Sequence, residues 1–386
     1  MTEVQELLDA AVVHGIAPGV VAMVADHSGV LLSAAAGFAD VERATPMTAG
    51  ALFMLASMTK LVTSIAALQL VEQGRLELDA PIARLLPQLS APRVLTGFAD
   101  DGSPIDRPAA RPITLRHLMT HTAGFGYDGM NPKLMRARGP AGPPPPTSLA
   151  ALDALLLFDP GEGWEYGIST DWVGLAVEAA SGDTLEAWLT AMLFAPLGLR
   201  DFSFFVPPAD LPRRVPLALR LPDGGFVPIP CPIGNREQWQ YLSGGAGLFG
   251  TAGDYLQLLR MLLNRGELDG VRVLGEASVA SLFRNEVGEL AAGRTGTTNP
   301  ALYQPYDPLP GTRSGWSLGG QINPVDVPGG RHASSLGWAG IANSYYWVDP
   351  ASDRCAVLMA QFLPFADPRF LGLLRDFELA VYAEPR

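Results

Sequence analysis

Apolar residues recur along the chain at two spacings, one typical of strands and the other of helices. Residues 20–25 and 30–36 are short apolar runs separated by a polar turn, which predicts a β-hairpin. An amphipathic segment before the hairpin predicts an opening helix. Residues 61–71 have helical length and are apolar nearly all round, so we predict a buried helix that ends near residues 73–74.

Helical patterns return further along, and strand patterns appear near the end of the chain. The predicted helices cover residues 172–180, 185–194, 255–263 and 368–382, and the predicted strands cover residues 344–348 and 355–361. Thr251, with Asp254 three residues later, predicts a capped start for the third of these helices. Strands at both ends with helices between them predict an α+β sandwich, in which one antiparallel sheet is built from both termini and flanked by helices, with a mainly helical region inserted.

A stretch rich in proline, glycine and arginine interrupts these patterns between about residues 90 and 160. It includes four consecutive prolines, which fix φ and remove backbone donors, so we predict a surface loop or polyproline II segment. It is not an interdomain linker, because candidate motifs lie on both sides of it. We predict a single catalytic unit over residues 1–386, with an α/β subregion at about 1–75 and 240–386 and a mainly helical and loop subregion at 76–239.

Composition and charge narrow the class of protein. The 386 residues are 48% hydrophobic and 17% charged, enough for a large core and too apolar for disorder. A net charge of −12 disfavours nucleic acid as a partner. The sequence contains no uninterrupted run of about 18 apolar residues, so we predict no membrane span. Its N-terminus lacks the basic and apolar regions of a secretory signal. We therefore expect a cytoplasmic protein.

Two cysteines, Cys231 and Cys355, have no CxxC spacing. We predict two free, buried thiols in a reducing compartment, with a single bridge between them as the alternative.

The central candidate for chemistry is Ser57-Met58-Thr59-Lys60, an S-x-x-K sequence at the start of the buried helix. If Ser57 lies in the first helical turn, Lys60 is one turn away on the same face and within reach of its hydroxyl. Burial and the helix N-terminus both disfavour the ammonium form, so we expect a lowered pKa for Lys60 and a base beside a nucleophile. The alternative is a helix-capping serine and a lysine that extends to the surface.

Composition favours the catalytic alternative. Only Lys60 and Lys133 are lysines among 27 basic residues. Arginine is not deprotonated in proteins, whereas lysine can be. A lysine in an apolar helix of a chain that otherwise uses arginine indicates that its titration matters.

Two later segments supply further candidates. Tyr166 lies in a glycine-rich loop just before a predicted helix, where its phenol would face a cleft, although a half-buried loop tyrosine is the alternative. Gly340, two residues after Trp338, would let a substrate approach the backbone closely, and the N–H of Ile341 would then serve as an oxyanion donor. An edge strand with aromatic residues explains this second segment equally well.

Together, Ser57-x-x-Lys60, Tyr166 and Trp338-Ala339-Gly340 resemble, in order and broad spacing, the serine β-lactamase and penicillin-binding-protein superfamily. The pattern is most similar to the class C β-lactamase-like carboxylesterases called family VIII, over nearly the whole chain. The resemblance implies a β-lactamase-like fold, no cofactor and an acyl-enzyme on Ser57 assisted by Lys60 and Tyr166. It also implies an oxyanion hole formed by the backbone N–H groups of Ser57 and Ile341.

Departures from the lactamase pattern bear on the substrate. Trp338-Ala339-Gly340 stands where those enzymes have Lys-Thr-Gly, which removes a cation and a hydroxyl suited to a substrate carboxylate. Tyr166-Gly167-Ile168 stands where they usually have Tyr-x-Asn, which removes a side-chain amide. Both changes lower the polarity of the acyl pocket, for which Tyr127 and Phe125 are candidate walls.

We therefore predict a serine carboxylesterase whose partner is a small, neutral ester. A β-lactamase, an amidase or D-peptidase, and an acyltransferase remain alternatives with the same site. A non-catalytic binding or sensor module is an alternative of a different class, disfavoured because all three catalytic residue types are present.

Other motifs support different chemistry less well. Gly315-Trp316-Ser317-Leu318-Gly319 fits the G-x-S-x-G nucleophile motif, but prolines and glycines on both sides prevent the helix that this motif needs, so we expect Ser317 in a strand. The five histidines lack metal-binding spacing, so no metal is predicted. We expect His121 to order the loop after its helix by hydrogen bonding, and His332 to lie in a solvated loop.

Overall fold

An eight-stranded antiparallel sheet forms the centre of the computed structural model, which describes residues 2–233, 237 and 239–383. The helices are α1 (Thr2–Val13), α2 (Thr59–Glu72), α3 (Leu115–Met119), α4 (Pro132–Arg138), α5 (Ser169–Ser181), α6 (Leu185–Leu189), α7 (Ala195–Leu197), α8 (Ala252–Leu263), α9 (Glu276–Leu282) and α10 (Pro368–Ala383). The strands are β1 (Gly19–Ala25), β2 (Val30–Asp40), β3 (Thr45–Pro46), β4 (Phe53–Met54), β5 (Arg93–Phe98), β6 (Pro104–Pro108), β7 (Ala218–Arg220), β8 (Phe226–Pro228), β9 (Phe249–Gly250), β10 (Glu267–Leu268), β11 (Val271–Arg272), β12 (Gly315–Trp316), β13 (Gln321–Ile322), β14 (Leu336–Gly340), β15 (Ser344–Asp349), β16 (Arg354–Met359) and β17 (Phe362–Leu363).

The central sheet joins the two ends of the chain. Its strand order is β12-β13-β14-β15-β16-β1-β2-β3, so the N-terminal hairpin β1–β2 continues a C-terminal meander. The junction is the antiparallel pair of β1 with β16, in register from Val21 opposite Met359 to Ala25 opposite Cys355. The predicted α+β fold, with one sheet built from both termini, is confirmed.

Helices cover both faces of this sheet. Successive residues of a strand point to opposite faces. On β15, Tyr346 contacts Tyr255 of α8, with ring centroids 5.2 Å apart. The next residue, Trp347, contacts Phe377 of α10, with ring centroids 5.5 Å apart. Helices α8 and α10 therefore lie on opposite faces, and α1 packs beside α10.

The inserted region packs against helix α2. Every residue of α2 from Thr59 to Leu70 is buried, as its all-round apolar pattern predicts, and α5 packs along it. Both helices begin earlier than predicted, α2 at Thr59 and α5 at Ser169. The subregion boundaries near residues 75 and 240 stay a prediction.

The predicted long surface loop is only partly correct. The proline run lies outside helices and strands, but the stretch from 90 to 160 also contains the β5–β6 hairpin and helices α3 and α4. The hairpin is a separate two-stranded sheet, and its strand β5 also forms a parallel bridge between Val94 and Leu156. Prolines are tolerated in edge strands such as β6. Asp159 anchors it by accepting hydrogen bonds from Arg107 (2.6 Å) and the backbone N–H of Ala110 (2.7 Å). These long-range contacts leave no signal in local composition.

Both cysteines are free, so the disulfide alternative is wrong. Cys355 is buried as predicted, whereas Cys231 is only partly buried. Within the described ranges, no helix has both the length and the apolar character required to cross a bilayer.

Candidate active site

Ser57 lies at the junction of strand β4 and helix α2. It is the middle residue of the 3-10 turn Ala56–Met58, so it precedes the first α-helical turn in which we predicted it. Ala56 has a φ of 46°, a left-handed conformation that is uncommon for residues other than glycine. The turn is held by the pairing of β4 with β9 and by the N–H of Leu55, which donates to the carbonyl of Leu248 at 2.8 Å.

Lys60 is buried beneath this turn, with 3% of its surface exposed. Its Nζ donates to the Oγ of Ser57 at 3.3 Å, to the phenol oxygen of Tyr127 at 3.1 Å and to the carbonyl of Gly245 at 2.8 Å. These three acceptors match the three donors of an ammonium group. The structure therefore brings the predicted serine and lysine together, and the lysine does not extend to the surface.

The charge state of Lys60 differs from our expectation. Burial alone would lower the pKa of Lys60, but the phenols of Tyr127 and Tyr166 and the carboxylate of Asp171 raise it above the ordinary value. Its Nζ also lies 5.4 Å and 4.7 Å from the centroids of the two phenol rings. The predicted lowering was wrong, because it considered burial and the helix terminus but not the groups that the fold gathers around the ammonium.

A contact between two glycines sets the two tyrosines side by side. A Cβ on Gly167 would lie 2.4 Å from the Cα of Gly126, so the two loops touch through their backbones. The neighbouring residues Tyr166 and Tyr127 consequently have ring centroids 5.5 Å apart in an edge-on arrangement. Tyr127, which the sequence indicated only as a pocket wall, therefore contacts the lysine directly.

Trp338 supports Tyr166 from strand β14. The indole N–H of Trp338 donates to the phenol oxygen of Tyr166 at 2.8 Å, and both side chains are buried. Strand β14 lies between β13 and β15, so the alternative of an aromatic edge strand is wrong. The hydrogen bond presents a donor to the oxygen that would carry negative charge during proton transfer.

The side chain of His121 packs instead of hydrogen bonding, contrary to our expectation. Its ring centroid is 4.9 Å from that of Tyr166 and 5.2 Å from that of Trp316, and its buried Nδ1 has no partner in the described part of the chain. Burial, followed by the charge of Lys60, holds the pKa of His121 well below its usual value. The loop is ordered by the main chain, since the carbonyl of His121 accepts from the N–H of Glu165 at 3.0 Å.

Gly340 makes a close backbone contact that we did not predict, and its role in substrate approach stays a prediction. A Cβ at this position would lie 2.6 Å from the carbonyl oxygen of Leu55, so the glycine gives room to the segment that precedes Ser57. Ile341 follows directly and lines the same cavity as Ser57. Across residues 2–233, 237 and 239–383, the N–H groups of Ser57 and Ile341 have no acceptor, which leaves both amides available to a ligand.

A cavity of about 610 Å³ opens beside Ser57. Its lining is mostly apolar and includes five of the predicted residues, Ser57, Tyr127, Tyr166, Trp338 and Ile341. Ile168 also lines it, in agreement with the predicted loss of polarity at that position. Phe125 lines a neighbouring cleft instead, so its prediction as a wall of this pocket is wrong.

Three residues of the site were not predicted. Asp171, in the first turn of α5, is 3% exposed and accepts hydrogen bonds from the Oγ of Ser243 at 2.6 Å and the N–H of Gly245 at 3.0 Å. The carbonyl of the same glycine accepts from Lys60. An aspartate within an apolar helical pattern was the available signal, but its partners lie more than 70 residues away in the chain.

The competing serine is structural. Ser317 is fully buried in the turn just after strand β12, one residue beyond the strand in which we expected it. Its Oγ accepts from the N–H groups of Gly319 and Gly320 at 3.1 and 3.2 Å, and strand β13 follows, not a helix. His332 lies in a loop as predicted, and its Nδ1 is 2.8 Å from Asp349. In the described residues, no group of three or more His, Cys, Asp or Glu side chains is arranged to hold a metal.

A serine and a lysine three residues apart, facing a tyrosine in a cavity beside an antiparallel sheet, define the class of proteins that share the β-lactamase and penicillin-binding-protein fold. The chain belongs to the Beta-lactamase family, whose sequence profile matches residues 4–380.

Relatives within the family are enzymes of ester hydrolysis and acyl transfer. The chain is 36% identical to a lovastatin esterase of Penicillium rubens, over 85% of this chain and 84% of the relative. It is 34% identical to a monacolin J acid methylbutanoyltransferase of Aspergillus terreus, over 95% of this chain and 92% of the relative. The solved structure of unliganded simvastatin synthase (LovD) from Aspergillus terreus superposes with a TM-score of 0.84 at 31% identity, covering 99% of this chain and 98% of that one.

Proposed function

We propose that this protein is a carboxylesterase that cleaves small, neutral esters through an acyl-enzyme on Ser57. The observation that carries the proposal is the hydrogen bond of 3.3 Å between Lys60 Nζ and Ser57 Oγ beside a mainly apolar cavity. The similarity to a lovastatin esterase supports the same reaction class.

Acylation begins when the Oγ of Ser57 attacks the ester carbonyl carbon. The hydroxyl proton passes to the coupled pair of Lys60 and Tyr166, and the carbonyl π electrons move onto oxygen. The N–H groups of Ser57 and Ile341 stabilise this oxyanion. When the tetrahedral intermediate collapses, the bond to the alcohol oxygen breaks and Tyr166 returns the proton to that oxygen.

Deacylation reverses these roles. Water gives a proton to the pair as it attacks the acyl carbon, and the intermediate then expels Ser57 Oγ, which recovers the proton. Since Lys60 is charged at rest, it stabilises negative charge on Tyr166 during both steps. Because its surroundings raise the pKa of Lys60, a proton must leave this ammonium and phenol pair before it can accept one from Ser57, so the rate should rise with pH.

Hydrolysis of short-chain p-nitrophenyl esters tests the nucleophile. Ser57→Ala should lose at least about a thousandfold in kcat, because the covalent route is removed. Ser317→Ala is the matched control and should retain activity when compared as folded protein by circular dichroism. Full activity of the Ser57 variant would refute the proposal, and selective loss in the Ser317 variant would favour the α/β-hydrolase alternative.

The lining of the cavity supports neutral substrates. Trp338 and Ile168 both line it and offer no cation to a substrate carboxylate. Arg138, which also lines it, is already paired with Asp128 at 3.0 Å. We therefore expect a higher kcat/KM for a simple ester than for a cephalosporin when one preparation is offered both. The opposite ranking would contradict the assignment of the substrate class.

Acyl transfer is a second candidate function. A relative that is 34% identical is named a methylbutanoyltransferase, and a cavity of about 610 Å³ has room for an acyl group and an acceptor alcohol. In the presence of added alcohols, a transferase should convert the acyl-enzyme into new esters at the expense of the free acid. Free acid as the sole product at every alcohol concentration would exclude this candidate.

A further inference from the structure

The two buried charges of the site are joined through one residue. Gly245 donates its N–H to the carboxylate of Asp171 at 3.0 Å and accepts from the ammonium of Lys60 at 2.8 Å. Both charged side chains are 3% exposed. A Cβ on this glycine would lie 2.8 Å from the second carboxylate oxygen, so the backbone and the carboxylate are in close contact.

The other groups around Lys60 do not balance its charge when they are neutral. They are the phenols of Tyr127 and Tyr166, the hydroxyl of Ser57 and the imidazole of His121, whose pKa is depressed by burial and by Lys60 itself. Asp171 is the one carboxylate among the described groups that act on the ammonium. An isolated buried charge is costly, whereas a paired and hydrogen-bonded one is tolerated.

We propose that Asp171 is the buried counter-ion of Lys60 and that it positions the ammonium through Gly245. Asp171 is thus a positioning residue, because it acts on the reacting atoms through Lys60. Its catalytic consequence rests on the proposed function, whereas the charge pairing does not. The competing explanation is that Asp171 only fixes the backbone near Ser243 and Gly245.

A double-mutant cycle separates these explanations without an activity measurement. Asp171→Asn keeps the shape of the side chain and removes its charge. If the charges are paired, Asp171→Asn leaves the buried ammonium of Lys60 without a partner in the natural chain, whereas a Lys60→Met background has no such ammonium. The melting temperature should therefore fall at least twice as much in the natural chain as in the Lys60→Met background. Equal losses, or failure to fold in both backgrounds, would overturn the pairing. Failure in the natural chain alone would support it.

The pH profile of ester hydrolysis supplies the catalytic readout. The carboxylate favours the protonated form of the Lys60–Tyr166 pair, so Asp171→Asn should shift the acid limb of kcat/KM to lower pH, by about one unit. Ser243→Ala is the matched control, because it removes a hydrogen bond to Asp171 and leaves the charge, and its acid limb should not move. Superimposed profiles for Asp171→Asn and the natural chain would overturn the catalytic role. If Ser57→Ala retains full activity, the proposed function fails, and the stability cycle still decides the charge pair.

Discussion

At the scale of residues, a hydrogen bond and a cation–π contact hold the phenol of Tyr166, the proposed proton carrier. Trp338 donates to the phenol oxygen, while Lys60 lies over the ring of Tyr166. Both contacts stabilise negative charge on the phenol oxygen while its proton is absent. The same tryptophan lines the cavity, so one side chain both orients Tyr166 and limits the polarity of the pocket.

Trp338→Phe should lower kcat/KM for a simple ester by about ten- to a hundredfold, because a hydrogen bond to a group that becomes charged is worth about 1.5–3 kcal/mol. Trp316→Phe is the matched control. The indole of Trp316 belongs to the same aromatic cluster, with its centroid 4.6 Å from that of Trp338, but it donates to the carbonyl of Met119. Steady-state kinetics with both variants check the prediction, and equal losses would show that packing alone matters.

At the scale of elements, the site depends on how closely strand β14 approaches the turn that carries Ser57. Gly340 at the end of the strand touches the carbonyl of Leu55, two residues before the nucleophile. Ile341 and Ser57, the proposed oxyanion donor and nucleophile, belong to segments more than 280 residues apart in the chain. This close backbone contact therefore contributes to their relative position, together with the pairing of β4 and β9 that holds the turn.

Gly340→Ala should destabilise the protein by about 1–3 kcal/mol, because the added methyl group would overlap the backbone of Leu55. It should also lower kcat by separating the two halves of the oxyanion hole. Gly372→Ala in helix α10 is the control, since a Cβ there meets nothing within 4 Å. That change should be neutral or stabilising by up to about 1 kcal/mol. Urea unfolding and ester hydrolysis of both variants provide the measurement, and an unperturbed Gly340 variant would contradict the contact.

At the scale of the whole molecule, Arg220 ties three distant parts of the chain together. Its guanidinium donates to Asp367 at 2.7 Å and to the carbonyls of Gly15 and Ile16 at 2.7 and 2.5 Å. Its side chain is 11% exposed and that of Asp367 is 6% exposed. The contact connects the segment before β1, the end of β7 and the start of α10, beside the junction at which the sheet joins both termini.

Arg220→Ala should cost about 3–5 kcal/mol of unfolding free energy, because it leaves the Asp367 carboxylate buried without its partner. Arg313→Ala is the matched control. Arg313 pairs with Glu289 at the surface, where the side chains are 53% and 90% exposed, so its loss should cost less than about 1 kcal/mol. Equilibrium denaturation measures both, and similar losses for the two variants would contradict a clamping role for Arg220.

Local pattern was sufficient for several features of this protein. The apolar stretch of α2 and the runs of β1 and β2 carry the periodicity of their elements within a few residues, so they were predictable. The contact between Ser57 and Lys60 was also predictable from their spacing, because residues three apart at the start of a helix lie on the same face. Element starts were less accurate, since the 3-10 turn before α2 depends on contacts with residues 248–250.

Two features of the site were decided only by the tertiary structure: the charge of Lys60 and the close backbone contact of Gly340. The charge of Lys60 depends on Tyr127, Tyr166 and Asp171, which lie 67, 106 and 111 residues further along the chain. Gly340 gives room to the carbonyl of Leu55, a residue 285 positions earlier in the chain. A sequence determines which chemical groups are available and how apolar and polar residues alternate along one helix or strand. Coulomb and steric interactions act through space, so they are determined only once the fold has brought distant segments into contact.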